Sequence, residues 1–160
     1  MVGMQLSNVN AFAADPATVH ALLTNERFLS EVCLATGAVA HRVAASPTTT
    51  AVERTLPSPS AVRRFTGETL TISEASQWGP PAADGSRTGT IRADVLGMPV
   101  TLTGELRLQP GGVGTELRYE GTLTVAIPLL GSHLEKEAAP ALLDALTIQE
   151  QVAARWLQPS

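Results

Sequence analysis

The stretch SHLEKEAAPALLDALTIQEQVAARWL, residues 132–157, decides the fold of this 160-residue chain. Its apolar residues recur at spacings of three, four or seven, which is the periodicity of a helix with one apolar face. This stripe contains Leu134, Ala138, Leu142, Ala145, Val152 and Trp156, and is widened by Leu143, Leu146, Ala153 and Leu157. At about 1.5 Å per residue, such a helix spans roughly 39 Å and can cross a whole small domain. One of its faces must therefore be buried against the rest of the chain.

Two features of this stretch concern the helix backbone. Ser132 and Glu135 have the Ser-x-x-Glu spacing of a capping box, in which each side chain satisfies a free backbone N–H. Pro140 lies inside the helix, removes one i to i−4 hydrogen bond, and therefore predicts a kink near Ala138. A kink there would reshape one end of any pocket beneath the helix.

Two segments upstream of the helix alternate strictly between apolar and polar residues. In residues 100–108 and 115–127, one side carries Val100, Leu102, Leu106, Leu108, Leu117, Tyr119, Leu123, Val125 and Ile127. The intervening positions are mostly threonine, glutamate and arginine, and the residues PGGVG join the two segments. This pattern predicts antiparallel strands with one covered face and one solvated face.

The remaining segments complete the order of elements. We expect a strand over 4–13, helices over 16–24 and 28–35, a hairpin over 38–56 and strands over 67–78 and 88–96. Asp15 and Pro16 supply an N-cap and a proline at the first helical position, and Gly37 suits the end of the second helix. Residues 61–65 form either one helical turn or an irregular link. Two registers compete in the first strand, Leu6 with Asn8 or Val9 with Ala11.

These elements assemble into one α+β domain over residues 1–160. It is a helix-grip arrangement, in which a seven-stranded antiparallel curved sheet wraps around the long C-terminal helix, with two short helices after the first strand. A concave sheet around one helix leaves a cavity unless large side chains fill it. Aromatic residues make up only 4% of the chain, so the sequence predicts an internal cavity.

The composition argues against several classes of protein. A net charge of −4 without basic runs is not typical of a nucleic-acid-binding surface. His20, His41 and His133 are far apart and lack metal-ligand spacing, so we expect neither a metal nor another cofactor. Cys33 is expected to be a buried apolar thiol. No stretch approaches 18 uninterrupted apolar residues and no leader is evident, which predicts a cytoplasmic protein without an integral membrane segment.

Several segments also resemble a known family. They are DPATVHALLTNERF, SPSAVRRF, TISEASQW, GTIRADVLGMPVTLTGELRL, and IPLLGSHLEKE before a helix that ends in ARWL. In these segments the chain is similar to the actinobacterial domain of unknown function 2505 family of the START / Bet v 1-like superfamily, also called the polyketide cyclase and lipid-transport superfamily. The resemblance covers essentially the whole chain. It implies a helix-grip fold with a hydrophobic pocket under the C-terminal helix, and it transfers no established active-site residue.

Glu74 is the most informative polar position, because it shares a strand face with Leu70, Ile72 and Trp78. If that face points inward, its carboxylate lies in an apolar cavity, where desolvation favours the protonated form and suits it to proton transfer. A register slip or a bulge would instead turn it to solvent. Arg54 has the same ambiguity, and a buried Glu74–Arg54 pair is a hypothesis that the structure can test.

The candidate site residues follow from these face assignments. Glu74 and His41 are weak catalytic candidates, and His41 is alternatively a core histidine, since it alternates with Val39 and Val43. The candidate ligand-binding residues are Arg54, Leu70, Ile72, Glu74, Trp78, Leu102, Tyr119, Leu142, Leu146 and Trp156. Among these, Leu142, Leu146 and Trp156 are the expected inward anchors of the helix.

Three functions are compatible with this pattern. The sequence favours a non-enzymatic protein that binds a small hydrophobic molecule, such as a lipid, an isoprenoid or a polyketide-like compound, between sheet and helix. The first alternative is an enzyme of cyclase or dehydratase type that uses an inward carboxylate or histidine as acid or base. The second is a protein-interaction module with a filled core. Two or three polar groups within hydrogen-bond reach inside the cavity would favour chemistry.

Overall fold

The computed structural model describes residues 3–158. Its elements are β1 (Met4–Phe12), α1 (Pro16–Leu23), α2 (Glu26–Ala35), β2 (Ala40–Ala45), β3 (Thr49–Pro57), α3 (Arg63–Thr66), β4 (Thr69–Trp78), β5 (Arg87–Val95), β6 (Val100–Gly111), β7 (Gly114–Val125) and α4 (Gly131–Trp156). The predicted fold class is confirmed. The predicted domain, residues 1–160, includes four terminal residues (1, 2, 159 and 160) that lie outside the described part.

The seven strands form one antiparallel sheet in the order β1-β7-β6-β5-β4-β3-β2. Strands β2 to β7 pair consecutively, as short connections and one-sided alternation require. The first strand pairs with the last, for example Leu6 with Gly121. Consequently β1 and β2 are the two edges of the sheet.

The buried positions of β1 resolve its register. Leu6, Asn10 and Phe12 are buried, whereas Val9 is 45% exposed. The register that contains Leu6 is therefore the one that faces the core.

The C-terminal helix starts differently from the predicted capping box. It begins at Gly131, its N-cap residue is Leu130, and no side chain caps it. Glu135 is 4% exposed and its Oε2 accepts a hydrogen bond of 2.9 Å from the Val125 backbone N–H. The capping-box prediction is wrong because Glu135 points toward the end of β7 rather than back along its own helix.

The helix runs without interruption from Gly131 to Trp156 and passes through Pro140. Pro140 is exposed, while its neighbour Ala139 is buried against the core. The helix therefore turns its proline outward and continues, and the predicted kink near Ala138 stays a prediction.

The two short helices cover the sheet beside α4. At the start of α2, the Asn25 side chain accepts a 3.0 Å hydrogen bond from the Phe28 N–H, and Phe28 itself is fully buried. After α2, Gly37 has a φ of +93°, the left-handed conformation that ends helices at low cost when the residue is glycine. None of the helices within residues 3–158 has both the length and the apolar character that a membrane span requires.

Candidate ligand-binding cavity

The space between the sheet and α4 contains two neighbouring chambers. The larger, which we name the outer chamber, has a volume of about 500 Å³. Its lining is mostly apolar and includes Leu56, Val62, Phe65, Leu70, Ile72, Met98, Val100, Val125, Ile127, Leu134, Ala138 and Ile148. This volume lies within the range of roughly 300–1,000 Å³ that is usual for small-molecule sites.

The outer chamber lies at one end of the sheet and reaches the surface. Its rim includes the exposed residues Pro59 and Ala61 before α3 and Glu137 and Ala141 on α4. Across the rim, the turn before β6 meets the segment after β7, because the Ala126 N–H donates a 2.8 Å hydrogen bond to the Pro99 carbonyl. Exposed residues of the chamber lining therefore lie both before α3 and on α4.

The second chamber, which we name the inner chamber, is smaller and more polar. Its volume is about 110 Å³. Its lining combines apolar side chains with seven polar residues, which are Asn10, Thr50, Arg54, Glu74, Ser76, Tyr119 and Gln149. Arg54, Leu142 and Ala145 line both chambers and so form the partition between them.

Arg54 and Glu74 meet at this partition. They occupy adjacent strands, β3 and β4, and their side chains point to the same face of the sheet. The Arg54 Nη2 and Glu74 Oε2 atoms are 3.9 Å apart, and the side chains are 12% and 28% exposed. This separation allows attraction between the charges but exceeds a hydrogen bond. The hypothesis of a Glu74–Arg54 pair in the cavity describes this arrangement, although the pair is loose.

The Arg54 guanidinium keeps a free donor. Its Nε is buried and has no hydrogen-bond partner among residues 3–158. Arg54 is also the one basic side chain among the described residues that line the two chambers. A buried N–H without an acceptor costs about 1–3 kcal/mol, so this position favours a partner that can accept a hydrogen bond.

Tyr119 is the second unpaired group. Its side chain is buried and its hydroxyl has no hydrogen-bond partner in the described part of the chain. Burial, with a smaller contribution from the negative charge of Glu74, raises the pKa of Tyr119 to about 12. The hydroxyl is therefore a neutral donor at physiological pH, and it lines the same small chamber as Arg54 and Glu74.

Hydrogen bonds between β1 and α4 close the inner end of the cavity. Asn10 Nδ2 donates to the Leu146 carbonyl at 3.3 Å, and the Ala11 N–H donates to Glu150 Oε2 at 2.7 Å. Gln149 Nε2 lies 3.5 Å from Asn10 Oδ1. These contacts fasten the last part of α4 to the edge of the sheet, and so leave the outer chamber as the accessible end.

The structure brings together most of the residues that the sequence proposed for ligand binding. Arg54, Leu70, Ile72, Glu74, Trp78, Leu102, Tyr119, Leu142 and Leu146 each line one or both chambers. Glu74 thus faces the cavity instead of the solvent, which is one of the two orientations that the sequence left open.

Trp156 and His41 lie elsewhere. Trp156 packs edge-on against Phe28 at 5.7 Å, and its Nε1 donates a 2.8 Å hydrogen bond to Glu31. The expected inward position of Trp156 is wrong because α2 covers this last turn of α4. His41 is exposed, because it lies on β2 at the edge of the sheet, so a catalytic role inside the cavity is not available to it.

Sequence reasoning missed several lining residues. Asn10 and Thr50 on the strands and Gln149 on α4 contribute polar groups to the inner chamber. Thr50 alternates with Val52 and Arg54, and this spacing is a signal that could have placed it on the inward face. Phe65 lies in the single turn of α3 and Met98 in the turn before β6. Both segments are too short for a periodicity to indicate which way a side chain points.

Two further buried groups adjoin the cavity walls. Burial raises the pKa of the Cys33 thiol, and nearby Arg54 opposes this effect. His20 packs edge-on against Trp78 at 5.7 Å, and burial together with the positive charge of Arg87 lowers its pKa. Both groups are therefore neutral near pH 7.

The site combines a large apolar volume with few polar groups. Arg54 and Glu74 are separated by more than a hydrogen bond, and Tyr119 is not bonded to either of them. Within residues 3–158, no group of three or more His, Cys, Asp or Glu side chains is arranged to hold a metal ion. An outer chamber of about 500 Å³ is incompatible with the filled core expected of a pure interaction module. The arrangement is suited to binding a molecule with a large apolar part.

Solved structures of other proteins have this fold over nearly the whole chain. The protein TTHA0849 of Thermus thermophilus matches with a TM-score of 0.68 at 15% identity, covering 97% of this chain and 100% of that one. A STAR-related lipid transfer protein from Xanthomonas axonopodis matches at 0.64 with 14% identity, covering 97% and 86%. A START superfamily protein from Mycobacterium smegmatis matches at 0.59 with 14% identity, covering 98% and 100%. The chain therefore has the fold of the START / Bet v 1-like superfamily.

Within this fold class the chain has a specific family. Residues 7–157 match the model of the family described as protein of unknown function (DUF2505), and the chain belongs to that family. Uncharacterized proteins of Mycobacterium bovis and Mycobacterium tuberculosis H37Rv are 27% identical to it over 101 residues. These alignments cover 62% of this chain and 58% of each relative, which is less than two thirds of their length. The family predicted from the sequence is confirmed.

Proposed function

We propose that this protein binds a small hydrophobic molecule, with the apolar part of that molecule in the outer chamber. The single observation that carries the proposal is the volume of about 500 Å³ lined by apolar side chains between sheet and α4. An unfilled volume of this size costs stability, because its lining forfeits the dispersion contacts that a packed core would make. A bound apolar ligand restores those contacts.

The fold supports the same proposal. One structural neighbour is named as a lipid transfer protein, although at 14% identity this likeness concerns the fold alone. The ligand class is therefore argued from the lining of the chamber. We expect a lipid, an isoprenoid or a polyketide-like molecule, bound by a cytoplasmic protein that handles it without chemical change.

Native mass spectrometry of the purified protein, followed by solvent extraction, tests this function. We expect an adduct of a few hundred daltons that disappears on extraction and is reproducible between preparations. The variant Ala145→Phe should purify without the adduct, because Ala145 lines both chambers and a phenyl ring there occupies ligand space.

A matched control lies on the same helix. Ala154 is exposed and lines neither chamber, so Ala154→Phe should retain the adduct. Wild-type protein that is repeatedly empty and also fails to bind the neutral dye Nile red would contradict the proposal. An adduct retained equally in Ala145→Phe would place the ligand outside the chambers and contradict it as well.

A second function is favoured by one specific observation, the presence of Glu74 and Tyr119 in the same inner chamber. In this alternative, an enzyme of cyclase or dehydratase type would use Glu74 as an acid or base on a bound polyketide-like substrate. Incubation with a polyketide-like compound, followed by solvent extraction, distinguishes the two functions. A binding protein returns the added ligand unchanged, whereas an enzyme returns a product whose formation Glu74→Gln abolishes.

A further inference from the structure

In the described part of the chain, two buried donors without acceptors belong to residues that line the inner chamber. They are the Nε–H of Arg54 and the hydroxyl of Tyr119. Buried donors are normally satisfied, and an unsatisfied one indicates an acceptor that belongs to the complete molecule. Arg54 and Tyr119 both line this chamber of about 110 Å³, so an acceptor group placed in it would lie among residues that include both.

The two chambers differ in polarity in a way that orients a ligand. The outer chamber is almost entirely apolar and has exposed residues at its rim, whereas the inner chamber has a larger share of polar residues and no exposed residue in its lining, with Arg54 at the partition. An amphiphile would therefore enter with its polar group first and leave its apolar part in the outer chamber.

We propose that the inner chamber is the head-group site for a carboxylate, held by Arg54 and Tyr119, so that the ligand is an aliphatic or isoprenoid acid. This inference rests on the proposed function, since it assigns the chemical class of the molecule in the same cavity. A carboxylate offers two acceptor oxygens, and its charge matches the one basic side chain among the described lining residues. Hydrogen bonds from guanidinium to carboxylate are among the stronger ones in proteins.

Glu74 gives this proposal a distinctive consequence. Its Oε2 lies 3.9 Å from Arg54 Nη2, so the carboxylate of the ligand and that of Glu74 compete for one guanidinium. Removal of the Glu74 charge should therefore strengthen the binding of an acid, while removal of the Arg54 charge should weaken it. A purely structural role of the pair would weaken all ligands alike.

Calorimetric titrations with decanoate and 1-decanol at pH 8, both below their aggregation concentrations, test the assignment. We expect wild-type protein to bind decanoate at least about 10-fold more tightly than 1-decanol. Arg54→Met should lower the affinity for decanoate by about 10- to 100-fold, and Tyr119→Phe by about 2- to 10-fold. Glu74→Gln should raise it. The affinity of each variant for 1-decanol, which carries no charge, should change less than its affinity for decanoate, so the ratio of the two affinities is the readout.

A double variant guards against loss of folding. Arg54→Met leaves Glu74 without its partner, whereas Arg54→Met combined with Glu74→Gln removes both charges and should fold and still bind 1-decanol. This double variant should show no preference for the acid.

Two results would overturn the head-group assignment. One is equal affinity of wild type for decanoate and 1-decanol while Nile red still binds, which leaves the proposed function intact. The other is that wild type binds 1-decanol more tightly than decanoate and that Glu74→Gln weakens the binding of 1-decanol. This result would assign the chamber to a hydroxyl group instead of a carboxylate. Failure of decanoate, 1-decanol and Nile red alike would contradict the proposed function together with this inference.

Discussion

Two glycines leave the space that the Tyr119 side chain occupies over the sheet. Gly104 on β6 and Gly121 on β7 are direct partners across the two strands. A Cβ added at Gly121 would lie 2.5 Å from the Tyr119 hydroxyl oxygen, and one added at Gly104 would lie 3.1 Å from its ring. The two missing side chains thus create the space in which the tyrosine ring and its hydroxyl lie close to the backbone of β6 and β7.

We predict that Gly121→Ala destabilises the protein by about 1–3 kcal/mol, because the new methyl group overlaps both Tyr119 and the Thr103 carbonyl oxygen, 2.9 Å away. Urea denaturation followed by circular dichroism measures the change. Gly79→Ala is the matched control, since its Cβ would meet nothing closer than 3.4 Å, and it should change stability by less than about 0.5 kcal/mol. Equal effects of the two substitutions would contradict the proposed packing.

His20 should make the stability of the protein depend on pH. Burial and the charge of Arg87 lower its pKa in the folded state, while the pKa of the unfolded chain stays near the ordinary value of 6.5. Below about pH 6.5 the unfolded state therefore binds more protons than the folded state, and stability falls as the pH falls.

We expect His20→Phe, which retains an aromatic ring against Trp78, to lose less stability than wild type between about pH 7.5 and pH 5. Thermal unfolding across this range measures the difference. His41→Phe is the control, because His41 is exposed, and it should follow the wild-type curve. Identical pH dependence of His20→Phe and wild type would show that His20 does not have the lowered pKa.

At the scale of elements, Glu135 joins α4 to the sheet. Its side chain accepts a hydrogen bond from the N–H of Val125, the last residue of β7. The two residues are ten positions apart in the sequence, and the turn before the helix lies between them. The contact fixes where the helix begins above the outer chamber, whose lining includes both Val125 and Leu134.

Glu135→Ala should therefore lower the free energy of unfolding by about 1–3 kcal/mol, since it leaves a buried N–H without an acceptor. Chemical denaturation measures this change. Glu137→Ala serves as the control on the same helix, because Glu137 is exposed and its nearest ion partner, His133, is 3.9 Å away. Exposed ion pairs of this kind contribute little to the free energy of unfolding. A loss from Glu135→Ala no larger than that from the control would contradict the role of this hydrogen bond.

At the scale of the whole molecule, periodicity predicted the elements but not the contacts between them. The alternation in β6 and β7 and the stripe on α4 placed Leu106, Tyr119 and Leu142 inward, because period alone determines which face an apolar residue occupies. Periodicity does not show that α2 covers the end of α4, and it therefore wrongly predicts Trp156 in the cavity. The spacing of Ser132 and Glu135 wrongly predicts a cap for the same reason, since the hydrogen-bond partner of Glu135 lies on another element.

The division of the cavity into two chambers was also beyond the sequence. It depends on how Arg54 on β3 approaches Leu142 and Ala145 on α4, the three residues that line both chambers. This approach is a property of packing in three dimensions. The composition does predict that a cavity exists, because a chain with 4% aromatic residues has few side chains that could fill the concave face of the sheet.

The central claim is that an apolar molecule occupies the space beneath α4, and a titration with Nile red, monitored by its fluorescence, tests it most directly. The wild-type protein should bind one dye per chain with a blue-shifted emission, as should Ala154→Phe. Ala145→Phe should bind at least about 10-fold more weakly, because the added ring fills the partition between the chambers. Absence of saturable binding to the wild type, or equal affinity of the two phenylalanine variants, would contradict the claim.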